Sequence, residues 1–144
     1  MTPIKDQVFI IPEVKLSGRF ILSGNCLKQL VIVVCQDNYG AVESELLSKM
    51  MKAIHYDLAE DVSLLEVDSK ISISLSNLVP SWKDLILFGV NPVDVGMHIQ
   101  YKPYQILSME GKRVITADTL TIISGDASKK QLLWTLFQKM FLNK

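Results

Sequence analysis

The sequence predicts a three-layer α/β/α sandwich with a mostly parallel central sheet of four or five strands. Three observations carry that expectation. Gln29–Cys35 (QLVIVVC) is an unbroken, β-branched apolar run, the pattern of a strand covered on both faces. Two more apolar runs, Val62–Val67 and Leu85–Val90, follow at spacings that leave room for crossover segments. A long apolar-striped segment closes the chain.

Each element has its own signal. Residues 1–28 read as a lead-in: Pro3 and Pro12 break it, Gly18 and Gly24 add turns, and Val8–Ile11 and Phe20–Leu22 are short enough to add edge strands or dock on a partner. A single α/β domain then fills residues 29–144. After the first strand, Asp37-Asn38-Tyr39-Gly40 is a turn, and a helix over about Ala41–His55 carries Val42, Leu46, Leu47, Met50, Met51 and Ile54 on one stripe. Glu43 and Glu45 suit its positive end and later lysines its negative end. After Val62–Val67, Asp68 or Ser69 can cap a short helix on Ile71, Leu75, Leu78, Val79 and Trp82, with Pro80 limiting its length. The serines there also alternate with Ile71, Ile73 and Leu75, a strand-like pattern. Tyr104–Met109 and Arg113–Thr116 flank a Glu110-Gly111 turn. The last helix runs over about Ala127–Leu142 with Asp126 as its N-cap. Leu132, Leu133, Leu136, Phe137 and Met140 share one face, and Trp134 and Phe141 widen it past what one-sided packing needs. That helix is expected to be wedged between layers or to meet another chain.

Composition narrows the function classes. The chain has 144 residues, is 49% hydrophobic and 21% charged, and balances 15 Lys+Arg against 15 Asp+Glu. A net charge of zero argues against a dedicated nucleic-acid binder and leaves the surface poorly protected against association, which favours a constitutive partner. Cys26 and Cys35 sit in apolar surroundings and read as buried free thiols. Neither a secretory signal pattern nor a membrane-length apolar segment is visible, so the expected location is cytoplasmic.

The chemistry-bearing motifs are sparse. Gly89, Asn91 and Pro92 belong to Gly-Val-Asn-Pro at the end of the Leu85–Val90 strand, where α/β proteins place ligands, and form the candidate pocket. The plain alternative is a turn after a buried strand. His55 and His98 lack metal-ligand spacing, and no metal or other cofactor is expected. Ser124-Gly125-Asp126 ahead of a helix, with Lys129 and Lys130 in its first turn, could attract an anion or an acidic partner. Asp57, Glu60 and Asp61 form an acidic cluster without EF-hand spacing. No nucleophile constellation is present, so the residues point away from an enzyme.

Two resemblances add to this. Asn91-Pro92 at a strand end is similar to the GxNPG element of mismatch-specific uracil-DNA glycosylases, whose asparagine positions the hydrolytic water. Here Val93 replaces that family's glycine, the motif lies late in the chain, and the second glycosylase motif is not recognisable. From about Ser63 onward the chain resembles the psi subunit of bacterial DNA polymerase III. An apolar strand leads to a short segment ending in Leu78-Val79-Pro80, then a Trp82-containing link and another apolar strand. Leu107-Ser108-Met109-Glu110-Gly111 forms the turn, a strand ends near Ala117-Asp118-Thr119-Leu120, and Leu132-Leu133-Trp134 lies in the last helix.

The resemblance implies a uracil-DNA-glycosylase-like fold without glycosylase activity. It further implies an accessory role in DNA replication, bridging the clamp loader and a partner subunit, with nucleic-acid contact indirect. Trp134, Phe137, Phe141, Lys129 and Lys130 are the candidate partner surface, and residues 1–28 a candidate docking segment. The competing expectations are a glycosylase-like hydrolase acting through Asn91 and a small anion-binding domain at Ser124–Lys130.

Overall fold

A computed structural model describes residues 20–36, 39–68, 74–79 and 81–142. The fold is mixed α/β around one six-stranded sheet. The strands are β1 (Phe20–Ser23), β2 (Leu30–Cys35), β3 (Val62–Val67), β4 (Asp84–Phe88), β5 (Leu107–Met109) and β6 (Lys112–Ala117). The helices are α1 (Ala41–Ala53), α2 (Leu75–Leu78), α3 (Leu120–Ser124) and α4 (Ala127–Phe137). The spatial order is β1-β3-β2-β4-β6-β5. The β3-β2, β2-β4 and β4-β6 pairs are parallel, and the two edge pairs are antiparallel.

Side-chain alternation explains the sheet's position. Leu30, Ile32 and Val34 of β2 enter a core on one face with Leu47 and Met51 of α1, Leu120 and Ile123 of α3, and Leu133 and Phe137 of α4. Val31 and Val33 enter a second core on the other face with Leu75 of α2, Val79, Trp82 and Val95. β2 and β4 are buried at every residue, so the β-branched and apolar runs have no polar face to offer.

The strand count is six rather than the expected four or five. Phe20–Ser23 pairs antiparallel with β3, from Phe20 opposite Val67 to Ser23 opposite Leu64. This run is the edge strand that Phe20–Leu22 was expected to be able to add; it has only four residues and leaves Ile21 and Leu22 exposed. Gly24 follows at φ +94°, where an added Cβ would fall 2.0 Å from the Val62 carbonyl oxygen. The connection is tied down by Asn25, Leu27 and Lys28 N–H groups donating to the carbonyls of Ala59, Glu60 and Asp61. Val8–Ile11, Asp37-Asn38, Ser69–Ile73 and Pro80 lie outside the described residues.

α1 opens with the Glu43 carboxylate accepting the Gly40 N–H at 2.9 Å. Its other oxygen accepts the Thr121 hydroxyl at 2.9 Å, fastening α1 to α3. α1 ends at Ala53, two residues short of the expected end, because His55 takes the left-handed conformation (φ +65°) that closes helices. A glycine is preferred there. His55→Gly is expected to raise stability by about 0.5–1 kcal/mol in urea unfolding; a loss would show that the exposed His55 side chain makes a contact that matters.

α2 begins after Ser74 and anchors Leu75 in the core; of the expected helix on Ile71 to Trp82, residues 69–73 lie outside the described residues. α3, Leu120–Ser124, is a single capped turn, too short to show a hydrophobic period in the sequence. α4 begins at Ala127 as expected, with the Asp126 carboxylate accepting the Lys129 N–H. Beyond Phe137 the backbone widens into a π-turn, Gln138–Leu142.

Candidate functional site

The parallel strands end on one side of the sheet, and the first chain connections from β2 and β4 diverge there toward β3 and β6. Such a switch point leaves a crevice between strand ends. A cavity of about 70 Å³ occupies it, lined by Cys35, Val67, Asp68 and Gly89 at the strand ends and by Asp94 and Val95 from a 3-10 turn. Its volume is well below the roughly 300–1,000 Å³ of small-molecule pockets.

The local sequence builds this end of β4. Gly89 leaves the strand at φ +71°, its N–H donating to the Ala117 carbonyl at 2.8 Å. An added Cβ would meet Thr119 Cγ2 at 2.4 Å. Pro92 is buried and starts the 3-10 turn Pro92–Val95, where its fixed φ and missing N–H cost nothing. Gly96 ends the turn at φ +85°. Asn91 is exposed, does not line the cavity, and accepts the Tyr101 hydroxyl through Oδ1 at 2.9 Å. Of the three candidate pocket residues, the structure therefore brings Gly89 to the crevice and turns Asn91 toward the loop that follows.

A polar cluster missed at the sequence level stands at the end of β6. The Tyr104 hydroxyl donates to Asp118 Oδ2 at 2.8 Å, and Lys129 Nζ reaches the same oxygen at 2.5 Å. The Asp118 N–H donates back to the Tyr104 oxygen at 3.3 Å. Tyr104 sits at φ +61° with its own N–H on the Thr116 carbonyl. Burial, followed by donation to a carboxylate, pushes its phenol up to about 12. Lys129, then Tyr104, hold the Asp118 carboxyl below its ordinary range. Nothing in the spacing of residues 104, 118 and 129 marks them as neighbours; only the return of the loop and of α4 to the end of β6 does so.

The Asp118 effect has a definite sign. As pH falls, the unfolded chain takes up this proton before the folded one, so the stabilisation is complete above the ordinary carboxylate range and fades below it. The side chains of Lys129 and Asp118 are 33% and 34% exposed, which places the pair in the weak, solvent-screened class. Asp118→Asn is expected to lower stability at neutral pH by about 0.5–1 kcal/mol and to flatten the acid limb of a stability–pH curve. An unchanged acid limb would assign that limb to other carboxylates.

These contacts also place the remaining candidates. Lys129 is engaged by Asp118, and Asp126 accepts the Lys129 N–H at the start of α4. Lys130 is exposed. Phe137 is 1% exposed and lies in the core. Trp134 and Phe141 are half-buried and packed on that core, with Phe141 5.3 Å from the Tyr56 ring and 5.8 Å from the Phe137 ring. The extra apolar width of the last helix is thus covered mostly by the chain itself; Leu132, expected on the packed face, is 51% exposed.

The acidic cluster is spent on its own loop. Asp57 Oδ1 accepts the Ala59 and Glu60 N–H groups, and Asp61 Oδ2 accepts that of Asp57. His55 and His98 are exposed, and among the described residues no group of three or more His, Cys, Asp or Glu is placed to hold a metal ion. Cys26 and Cys35 are free thiols, the first half-buried and the second buried. Among the described residues no helix is long and apolar enough to cross a membrane.

No protein-family model matches the chain, and no curated protein matches it.

Proposed function

We propose that this chain is a non-catalytic accessory protein of DNA replication resembling the psi subunit of DNA polymerase III, bridging the clamp loader and a partner subunit. In this reading the fold is a three-layer α/β/α sandwich of the uracil-DNA-glycosylase type, put to protein binding. The observation that carries it is the order of the resembling segments along one sheet. Val62–Val67, the Leu78-Val79 end of α2, buried Trp82, β4, the Glu110-Gly111 turn, the end of β6 and Leu132–Trp134 of α4 succeed one another as elements of a single unit.

The strand end favours this reading over a hydrolase. Asn91, the residue a glycosylase-like mechanism would use, points its carbonyl at Tyr101 instead of into the crevice. The cavity there, about 70 Å³, is also well below the roughly 300–1,000 Å³ of small-molecule pockets. Localisation in the cytoplasm follows from a replication role.

The test is affinity capture of the tagged full chain from native extract, read by mass spectrometry. Recovery of clamp-loader or polymerase subunits is the expected result. Their absence under gentle conditions would overturn the assignment, as would base release from uracil- or mismatch-containing duplexes that disappears in Asn91→Ala.

A further inference from the structure

The segment from Val95 to Met109 contains no acidic residue, although the chain carries 15 in 144. Within it, Ile99, Tyr101, Lys102, Ile106 and Leu107 line an open groove of about 630 Å³, with Gln100 and Gln105 as its polar groups. Tyr101 is 41% exposed, and its hydroxyl is tied to Asn91, which steadies the ring. Lys102 is exposed and makes no ion pair among the described residues. Asp94 and Glu110 bracket the segment, but Lys102 is the one charged residue among those that line the groove.

The groove continues into a sheet edge. β5 pairs only with β6 among the described residues. Met109 and Lys112 flank the two-residue turn Glu110-Gly111, whose φ values of +51° and +82° are those of a type I′ hairpin. That geometry makes Met109–Lys112 a hydrogen-bonded pair and Ser108–Arg113 a non-bonded one. The Arg113 N–H confirms the phase, since it donates away from β5 to the Lys83 carbonyl at 2.9 Å. The N–H and C=O of exposed Ser108 consequently face outward.

We propose that this groove and edge dock an extended acidic peptide segment of a partner protein, added as a strand beside Ser108 with its carboxylates toward Lys102. Outward backbone groups in β register recognise a peptide, and alternate side chains then fall into the groove. The zero net charge of the chain disfavours a nucleic-acid strand as the occupant. The proposal shares with the reading above only the statement that the chain binds a protein.

Fluorescence anisotropy with the purified full chain tests it. The probe is a labelled short peptide alternating Asp or Glu with Leu or Phe. Parallel arms use the same peptide with lysines in place of the acids, and a labelled short oligothymidine. Saturable binding of the acidic peptide is expected, weakened about tenfold by Lys102→Glu and lost in Ser108→Pro, which removes an outward N–H without touching the ladder to β6. Unchanged circular dichroism and thermal midpoint show that each variant is folded, and Lys102→Glu, an exposed site, decides alone if the proline variant is not. No binding, equal binding of the lysine peptide, indifference to Lys102→Glu, or preference for oligothymidine would overturn it. Because purified components are used, failure here and failure of the extract capture are separate results.

Discussion

Arg113→Ala lowers stability by about 2–4 kcal/mol, the largest loss expected from any single polar substitution in this chain. Asp84 opens β4, Arg113 is the second residue of β6, and the two face each other in register across the parallel pair. The guanidinium binds the carboxylate in a fork, Nε to Oδ1 at 2.9 Å and Nη2 to Oδ2 at 3.1 Å. Its third arm, Nη1, donates to the Met140 carbonyl at 3.0 Å and so fixes the π-turn after α4. The Asp84 side chain is only 10% exposed, whereas that of Arg113 is 37% exposed. Removing the arginine strands a buried carboxylate and frees a helical carbonyl, a greater cost than the pair's own net contribution. The expected loss is set somewhat below the roughly 3–5 kcal/mol of fully buried pairs because Arg113 retains access to water. Arg113→Lys, which keeps the charge but not the fork, is expected to fall between wild type and alanine. Urea unfolding followed by tryptophan fluorescence measures both. A loss below about 1 kcal/mol for Arg113→Ala would show that solvent replaces the guanidinium. In the double variant Asp84→Leu/Arg113→Met most of the stability returns, since no charge is left behind.

Gly89→Ala is expected to cost about 2–4 kcal/mol for a different reason, backbone strain added to a clash. At φ +71° a Cβ is disfavoured whatever surrounds it, and here it would stand 2.4 Å from Thr119 Cγ2. Thr119 cannot retreat freely, because its Oγ1 accepts the Ile122 N–H as the cap of α3 and its Cα is itself 3.4 Å from the new carbon. Thr119→Ser keeps the cap and removes the clashing methyl. Combined with Gly89→Ala it is expected to restore about 1–2 kcal/mol, the clash share, and to leave the strain. Strict additivity of the two changes would show that the strand end shifts to make room. The glycine that first marks this strand end as a ligand-binding place is thus also required for packing, so its presence alone does not argue for a ligand.

The legible part of the site was local. Gly-Val-Asn-Pro announces a strand end followed by a turn, because glycine and proline act through their own backbone angles. Whether Asn91 faces a crevice depends on the path of residues 92–104, and Tyr101 settles it by taking the amide oxygen. Lys129 looked available at the start of α4, where a cation is misplaced with respect to the helix dipole. The dipole argument was sound and its resolution lay elsewhere: Asp118, at the end of β6, supplies the anion.

The sequence by itself determined the central sheet. Continuous β-branched runs such as Leu30–Cys35 have no polar face, so they are strands covered on both sides wherever they occur, and Val62–Val67 was delimited to the residue. Asp126 likewise determined where α4 begins, since a cap acts within its own turn. What tertiary structure alone decided was everything that depends on register and return: the partner, direction and register of the edge strand Phe20–Ser23, the Asp84–Arg113 fork, the Tyr104–Asp118–Lys129 cluster, and the packing of Trp134 and Phe141 on the core. Each joins residues far apart in the chain, and pairwise contacts across such separations leave no periodicity for a single sequence to display.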